Sequence, residues 1–111
     1  MKYFITGATG FLGGALARIL RERGHDVTAL VRSPERSAKL NALGIALVPG
    51  DITDKESMRA AMTGCDGVFH VAAWYKVGAR DRSTAWKINV EGTRNVLELM
   101  KELNIPKGVY T

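Results

Sequence analysis

Apolar residues change their period several times along this 111-residue chain, and each change marks a predicted element. Tyr3-Phe4-Ile5-Thr6 is a short apolar run that breaks at Gly7, the pattern of a buried strand. Leu12, Ala15, Leu16, Ile19 and Leu20 then fall at helical spacing and predict one apolar stripe along a helix. Gly24 stops that helix, and Val27 to Val31 reads as a second strand. Ser33-Pro34 has the chemistry of an N-cap and a first helical residue, predicting a short helix to about Leu43. Ile45 to Val48 forms a third strand, closed by Pro49-Gly50. Thr53 and Glu56 stand at capping-box spacing and predict a third helix to about Met62. Gly67 to Ala72 is a fourth strand. Ala85, Ile88, Gly92, Val96, Leu99 and Leu103 trace one face of a long fourth helix, and Gly108-Val109-Tyr110-Thr111 begins a fifth strand.

Strands alternating with helices in this way predict an α/β fold, a doubly wound parallel sheet joined by right-handed crossovers. No linker, repeat or low-complexity tract interrupts it, so residues 1–111 are expected to form one domain, truncated within its fifth strand. A sheet that stops in mid-strand leaves an apolar edge uncovered. Marginal stability, or self-association through that edge, is therefore expected.

Composition narrows the function classes. The net charge is +5, but the basic residues are scattered: Arg18, Arg21 and Arg23 on one helix, Arg32 and Arg36 at a turn, Lys101 near the end. A nucleic-acid surface would show a clustered stripe with aromatics between the charges, so neither nucleic acid nor membrane is expected as a partner. Cys65 is the single cysteine, which excludes an internal disulfide and suits a reducing compartment. The uncharged stretch from Tyr3 to Ala17 superficially resembles a signal peptide. Its glycines and threonines make a poor membrane helix, however, and each fits a strand-loop-helix, so a cytoplasmic protein is expected. No run approaches the ~18 apolar residues of a membrane span.

The candidate chemistry lies in that first loop. Thr6-Gly7-Ala8-Thr9-Gly10-Phe11-Leu12-Gly13 joins the first strand directly to the first helix. Gly7 permits the tight turn, Gly10 lets backbone approach a pyrophosphate, and Gly13 lets the helix pack close to the sheet. The helix start offers free N–H groups and a positive dipole end to phosphates. Strand before and amphipathic helix after are the context that separates a dinucleotide loop from a glycine-rich turn with no ligand. A Walker-type loop is excluded, since no Gly-Lys-Ser/Thr follows.

The spacing G-x-x-G-x-x-G, followed in order by "GDITD", "VFHVAA" and "NVEGTRNVLE", resembles the extended short-chain dehydrogenase/reductase family along the whole chain. That family includes the NAD-dependent epimerase/dehydratase and dihydroflavonol-reductase-like proteins. The resemblance implies a Rossmann-type domain and a dinucleotide contacted by Gly7, Thr9, Gly10, Phe11, Leu12 and Gly13. It also implies that Asp51 and Ile52 flank the adenine, the Asp51 carboxylate accepting the exocyclic amine; a capping role for Asp51 near Thr53 is the alternative. Val71, Ala72 and Ala73 match the segment beside the second ribose and the diphosphate. Asn89 matches an asparagine that supports the active-site region, although a buried, hydrogen-bonded asparagine would look the same.

The residue ending the second strand decides the cofactor. An acid there binds the ribose 2′-hydroxyl of NAD, whereas an arginine accommodates the 2′-phosphate of NADP. Arg32 occupies that place and no acid does, which favours NADP over NAD; a solvated arginine after a strand is the other reading. His70, in a strand, is expected to be a packed core residue, and His25 lies in a turn. Trp74 and Tyr75 either begin a substrate pocket or cover the sheet.

By the same resemblance, hydride transfer requires a Ser/Thr, a Tyr and a Lys four residues after the Tyr. Tyr3, Tyr75 and Tyr110 have no such lysine, so no catalytic residue is assigned and the chain is expected to be inactive alone. Two accounts stand: the cofactor-binding piece of a carbonyl reductase, epimerase or dehydratase, or an inactive dinucleotide-binding sensor or subunit. Arg32 with "HVAAWY" leans to the dihydroflavonol-reductase-like branch. A flavodoxin-like or response-regulator domain is disfavoured, since glycines stand where its acidic residues would be.

Overall fold

The computed structural model describes residues 1–33, 35, 37–71 and 87–110. Its elements are β1 (Lys2–Thr6), α1 (Phe11–Glu22), β2 (Asp26–Val31), α2 (Ala38–Ala42), β3 (Ala46–Pro49), α3 (Lys55–Met62) and β4 (Gly67–His70). A π-helical stretch at Lys87–Glu91 then runs into α4 (Gly92–Glu102), which is followed by β5 (Lys107–Tyr110).

The strands form one parallel sheet in the order β3-β2-β1-β4-β5. The chain thus winds outward from β1 through β2 to β3, then crosses to the other side of β1 for β4 and β5. This is the expected doubly wound α/β sheet of the Rossmann type. Its strand order reverses between β1 and β4, and the crevice above the carboxyl ends of those two strands is where such sheets bind ligands.

Side chains alternate along each strand and so feed two cores. Ile5, Val27, Ala29 and Val31 pack with Ala17, Leu20 and Leu40 beneath α1 and α2. Phe4, Leu30 and Val68 pack on the opposite face with Met58, Met62, Val96 and Leu99 from α3 and α4. Parallel strands covered on both faces read as near-continuous apolar runs, and that is why β1 and β2 were visible in the sequence.

Four local expectations need correction. The buried stripe of α1 is Gly13, Ala17 and Leu20, whereas Leu12 and Ile19 are exposed. The helix is turned so that its smallest residues meet the loop and sheet, and apolar periodicity cannot see a glycine. Helix α2 is α-helical only from Ala38, behind Ser37; Pro34, the expected first helical residue, lies outside the described residues, and Ser37 Oγ donates to the Ser33 carbonyl at 3.3 Å. The capping box at Thr53 and Glu56 does not form. Helix α3 begins after Asp54, Thr53 turns back to Asp51, and Glu56 pairs with Arg59 at 2.8 Å. Finally, β4 ends at His70, one residue before Val71, and Ala72 lies outside the described residues.

Two surface lysine and arginine side chains tie α3 to α4. Lys55 pairs with Glu98 and Glu102, and Arg59 reaches Glu102 at 3.4 Å. Hydrogen bonds to Glu98 and Glu102 raise the Lys55 pKa, and the hydrogen bond between Arg59 and Glu56 raises that of Arg59 and lowers that of Glu56. Among the described residues, no helix is long and apolar enough to cross a membrane.

Candidate functional site

The loop between β1 and α1 is built by its glycines. Gly7 has φ 75°, a conformation that side chains disfavour, and its carbonyl accepts the Gly10 N–H at 3.1 Å. A Cβ on Gly13 would land on that same Gly7 carbonyl group, so α1 is in backbone contact with the loop. The sequence pattern assigned Gly13 to packing of the helix on the sheet; its close partner is the loop itself. Gly14 is also tight, its absent Cβ 3.1 Å from the Ala8 oxygen.

This packing leaves the start of α1 open to a ligand. Gly10 precedes the helix in an extended conformation, without a side-chain cap, and no acidic residue occupies the first turn. The first N–H groups therefore carry the helix's positive end with no carboxylate to neutralise it. Thr9 and Gly10 are exposed, and Phe11 is 96% exposed. Leu12 is 56% exposed.

Beside the loop, a cavity of about 680 Å³ opens between α1 and α2. Its lining includes Thr9, Gly10, Arg18, Ser37 and Lys39; among the described residues it holds two cations and no carboxylate. Arg32 is exposed just beyond β2 and makes no hydrogen bond or ion pair within the described residues. Ser37 and Lys39 were not singled out from sequence. A basic residue in the first turn of the helix after β2 is the signal that would have found Lys39.

The turn after β3 is fixed by its own hydrogen bonds. Asp51 Oδ1 accepts both the Thr53 N–H and the Thr53 hydroxyl, each at 2.9 Å. Ser57 Oγ accepts the Asp51 N–H at 3.1 Å and donates to the backbone around it. Capping of the Thr53 region by Asp51 is thus real, and it orients the carboxylate. Ile52 turns inward: it is buried against Gly92, where a Cβ would come within 2.5 Å of Ile52 Cδ1. Asn95 Nδ2 donates to the Ile52 carbonyl at 2.8 Å, so α4 anchors this turn by both packing and a hydrogen bond. Asn95 was missed because a polar residue on a helix carries no sign of its partner.

A third cluster closes the crevice between β1 and β4. Thr6 Oγ1 and His70 Nδ1 lie 2.8 Å apart, and His70 Nε2 lies 3.0 Å from Thr93 Oγ1. The Val71 N–H donates to Thr6 Oγ1 at 3.1 Å. Burial lowers the His70 pKa, so the imidazole is neutral near pH 7. His70 is a core histidine, as its strand position suggested, but one hydrogen-bonded at both ring nitrogens.

Asn89 sits half-buried in the π-helical stretch, with Gly92 following it at the start of α4. Ala73, Trp74 and Tyr75 lie outside the described residues, as does Ala72. Tyr3 donates to Met1 Sδ at 3.0 Å and meets His25 and Phe69 edge-on, a packing arrangement far from the loop. Cys65 is buried, and burial pushes its thiol up, which makes it a poor nucleophile.

Comparison with known proteins agrees with this geometry. The family model described as "NAD dependent epimerase/dehydratase family" matches residues 3–111. The chain is 44% identical over 109 residues to a Synechocystis sp. protein that carries the provisional name dihydroflavonol 4-reductase, covering 98% of this chain and 32% of that protein. It is 45% identical over 109 residues to the 2-alkyl-3-oxoalkanoate reductase of Shewanella oneidensis, covering 97% of this chain and 27% of the relative. Among solved structures, a short-chain dehydrogenase/reductase superfamily protein from Agrobacterium tumefaciens with bound NAD superposes with a TM-score of 0.83 at 26% identity, covering 99% of this chain and 32% of that one. The chain therefore spans about a third of the length of the relatives it matches.

Proposed function

Because this chain belongs to the NAD-dependent epimerase/dehydratase family, we propose that it is the NADP-binding part of a reductase acting on a small carbonyl substrate. The observation that carries the cofactor choice is the charge around the loop. Among the described residues, Arg32 stands free at the end of β2, and the cavity beside the loop contains Arg18 and Lys39 with no carboxylate. An adenosine 2′-phosphate fits such surroundings, and the 2′-hydroxyl of NAD gains nothing from them.

The residues present suit the dinucleotide. The N–H groups of Phe11 and Leu12, at the uncapped start of α1, would take the pyrophosphate, and the absence of side chains at Gly7, Gly10 and Gly13 keeps the loop low enough for it. Asp51, held by Thr53, would accept the adenine amine, with the Ile52 backbone beside it. Val71, at the exit of β4, would pass the ribose, together with Ala72 and Ala73, and Asn89 would support the substrate side. When bound, NADPH supplies a hydride to a carbonyl carbon; this chain's own part is to bind the cofactor and orient it. The reductase reading over epimerisation draws on the reductases among the relatives.

Separate calorimetric titrations with NADPH and NADH, repeated with Arg32→Ala, test the proposal. Tighter binding of NADPH, with the preference lost in the variant, supports it. Equal affinities for the two nucleotides, unmoved by Arg32→Ala, would refute the NADP assignment. A folded chain that binds neither nucleotide would refute the cofactor reading itself.

A further inference from the structure

The cluster at the strand crossover does more than fill the core. Thr6 is the last residue of β1 and immediately precedes Gly7, so its side chain stands at the root of the loop. His70 is the last residue of β4, and Thr93 lies on the first turn of α4. One imidazole therefore spans three elements that surround the crevice: the loop strand, the strand exit at Val71, and the helix whose Gly92 and Asn95 hold the Asp51–Ile52 turn.

The bonds run in a chain. Thr6 Oγ1 accepts the Val71 N–H and meets His70 Nδ1, and His70 Nε2 meets Thr93 Oγ1. The neutral ring carries one N–H, so it donates to one hydroxyl and accepts from the other. Each bond constrains the next. A shift of Thr6 toward or away from a ligand at Gly7 changes where His70 can sit, and with it where α4 can sit. A purely apolar packing residue at position 70 could slide, whereas a ring bonded at both nitrogens cannot move without breaking one bond.

We propose that His70 is a positioning residue for the dinucleotide site, acting through the Thr6–His70–Thr93 chain to hold the phosphate loop, the exit of β4 and α4 in the spacing that the cofactor needs. This rests on the cofactor reading given above. The chain of bonds makes occupancy of the loop visible at Thr93, on the far side of the imidazole.

Two measurements test it together. The first is ¹⁵N NMR of the histidine rings, with and without saturating NADPH. The ring nitrogens of His70 are expected to report a single neutral tautomer and to shift on saturation, while His25, at the opposite end of the sheet, stays still. The second is NADPH affinity in Thr93→Val, which removes the hydroxyl and keeps the shape. Loss of one buried hydrogen bond corresponds to about a fivefold effect, so NADPH binding is expected to weaken about fivefold while the melting temperature of the ligand-free protein falls by only a few degrees. His70→Gln, whose amide can reach the Nε2 position, is expected to restore more affinity than His70→Leu.

Unchanged His70 resonances on saturation, with wild-type affinity in Thr93→Val, would overturn the inference. So would an equal affinity loss in Gly24→Ala, a variant destabilised to a similar degree away from the site, since affinity would then merely follow stability. If the wild-type chain binds neither NADPH nor NADH, the cofactor reading fails first and takes this inference with it. A failure confined to the Thr93 and His70 measurements leaves that reading standing.

Discussion

Gly13 and Gly7 touch backbone to backbone: a Cβ on Gly13 would coincide with the Gly7 carbonyl group. The contact brings α1 down onto the loop and sets the height of the helix start above the strands. No rotamer can relieve a clash between a Cβ and main chain, so Gly13→Ala must displace either the loop or the helix. Overpacking of this kind costs roughly 1–3 kcal/mol, and the expected result is a lower urea midpoint together with loss of nucleotide binding. Gly24 provides the contrast. It has φ 83° and nothing near its absent Cβ, so Gly24→Ala should cost about 1 kcal/mol from backbone strain alone, with nucleotide affinity unchanged.

Asn95 offers a second separation of site from scaffold. Its amide holds the Ile52 carbonyl, and Ile52 in turn packs under Gly92. Asn95→Ala leaves that carbonyl without its side-chain donor and should destabilise the fold by about 1–2 kcal/mol, measured by urea unfolding. Since Asp51 is next in the chain and keeps its bonds to Thr53, the turn should loosen and not unfold. Hydrogen exchange at the Thr53 amide is expected to speed up, while exchange in β1 does not.

The depressed pKa of His70 gives stability a definite pH dependence. In the unfolded chain the ring titrates near its ordinary value of 6.5, and burial holds the folded value below that. Between the two values the unfolded state binds more protons, so the contribution is fully present above 6.5 and is lost as pH falls toward the folded pKa. Urea midpoints should therefore decline from neutral pH into the mildly acid range, before the carboxylates titrate. His70→Gln should flatten that decline. An equal slope in wild type and variant would mean that His70 does not control it.

The reach of the sequence can be traced through these same residues. The alternation of elements, the parallel sheet and the glycine loop were legible because buried parallel strands are nearly all apolar and because glycine has few substitutes at positive φ or in backbone contact. The face of α1 was misjudged for the same reason in reverse: Gly13 has no side chain and Ala17 only a methyl, so neither marks the buried face. Thr53 and Glu56 had the right spacing for a capping box, but Asp51 offered Thr53 a closer acceptor and Arg59 claimed Glu56. Asn95 and Thr93 were invisible, since each bonds a residue more than 20 positions away. Local rules describe neighbours along the chain, and these contacts are made by α4, the crossover between β4 and β5.

The cavity between α1 and α2 separates two cations that composition treats as equal. Lys39 stands on α2, close in sequence to Arg32 and the end of β2, whereas Arg18 lies two turns into α1 from the loop. On the NADP reading a 2′-phosphate would sit beside the residue that ends β2; Lys39, which lines the cavity, is the cation nearer to that residue in sequence, and Arg18 lies farther along α1. Charge-assisted bonds to phosphate are worth about 1.5–3 kcal/mol, which corresponds to at least about tenfold in affinity. Lys39→Ala should weaken NADPH by that factor and leave NADH within about twofold, while Arg18→Ala should change neither by more than screening at low salt allows. Raising the ionic strength should narrow the gap between NADPH and NADH in wild type more than in Lys39→Ala, because one fewer charge remains to be screened. Calorimetry at two salt concentrations measures all of these. A loss in Arg18→Ala as large as that in Lys39→Ala would place the phosphate deeper in the cavity, against the helix and away from the strand end.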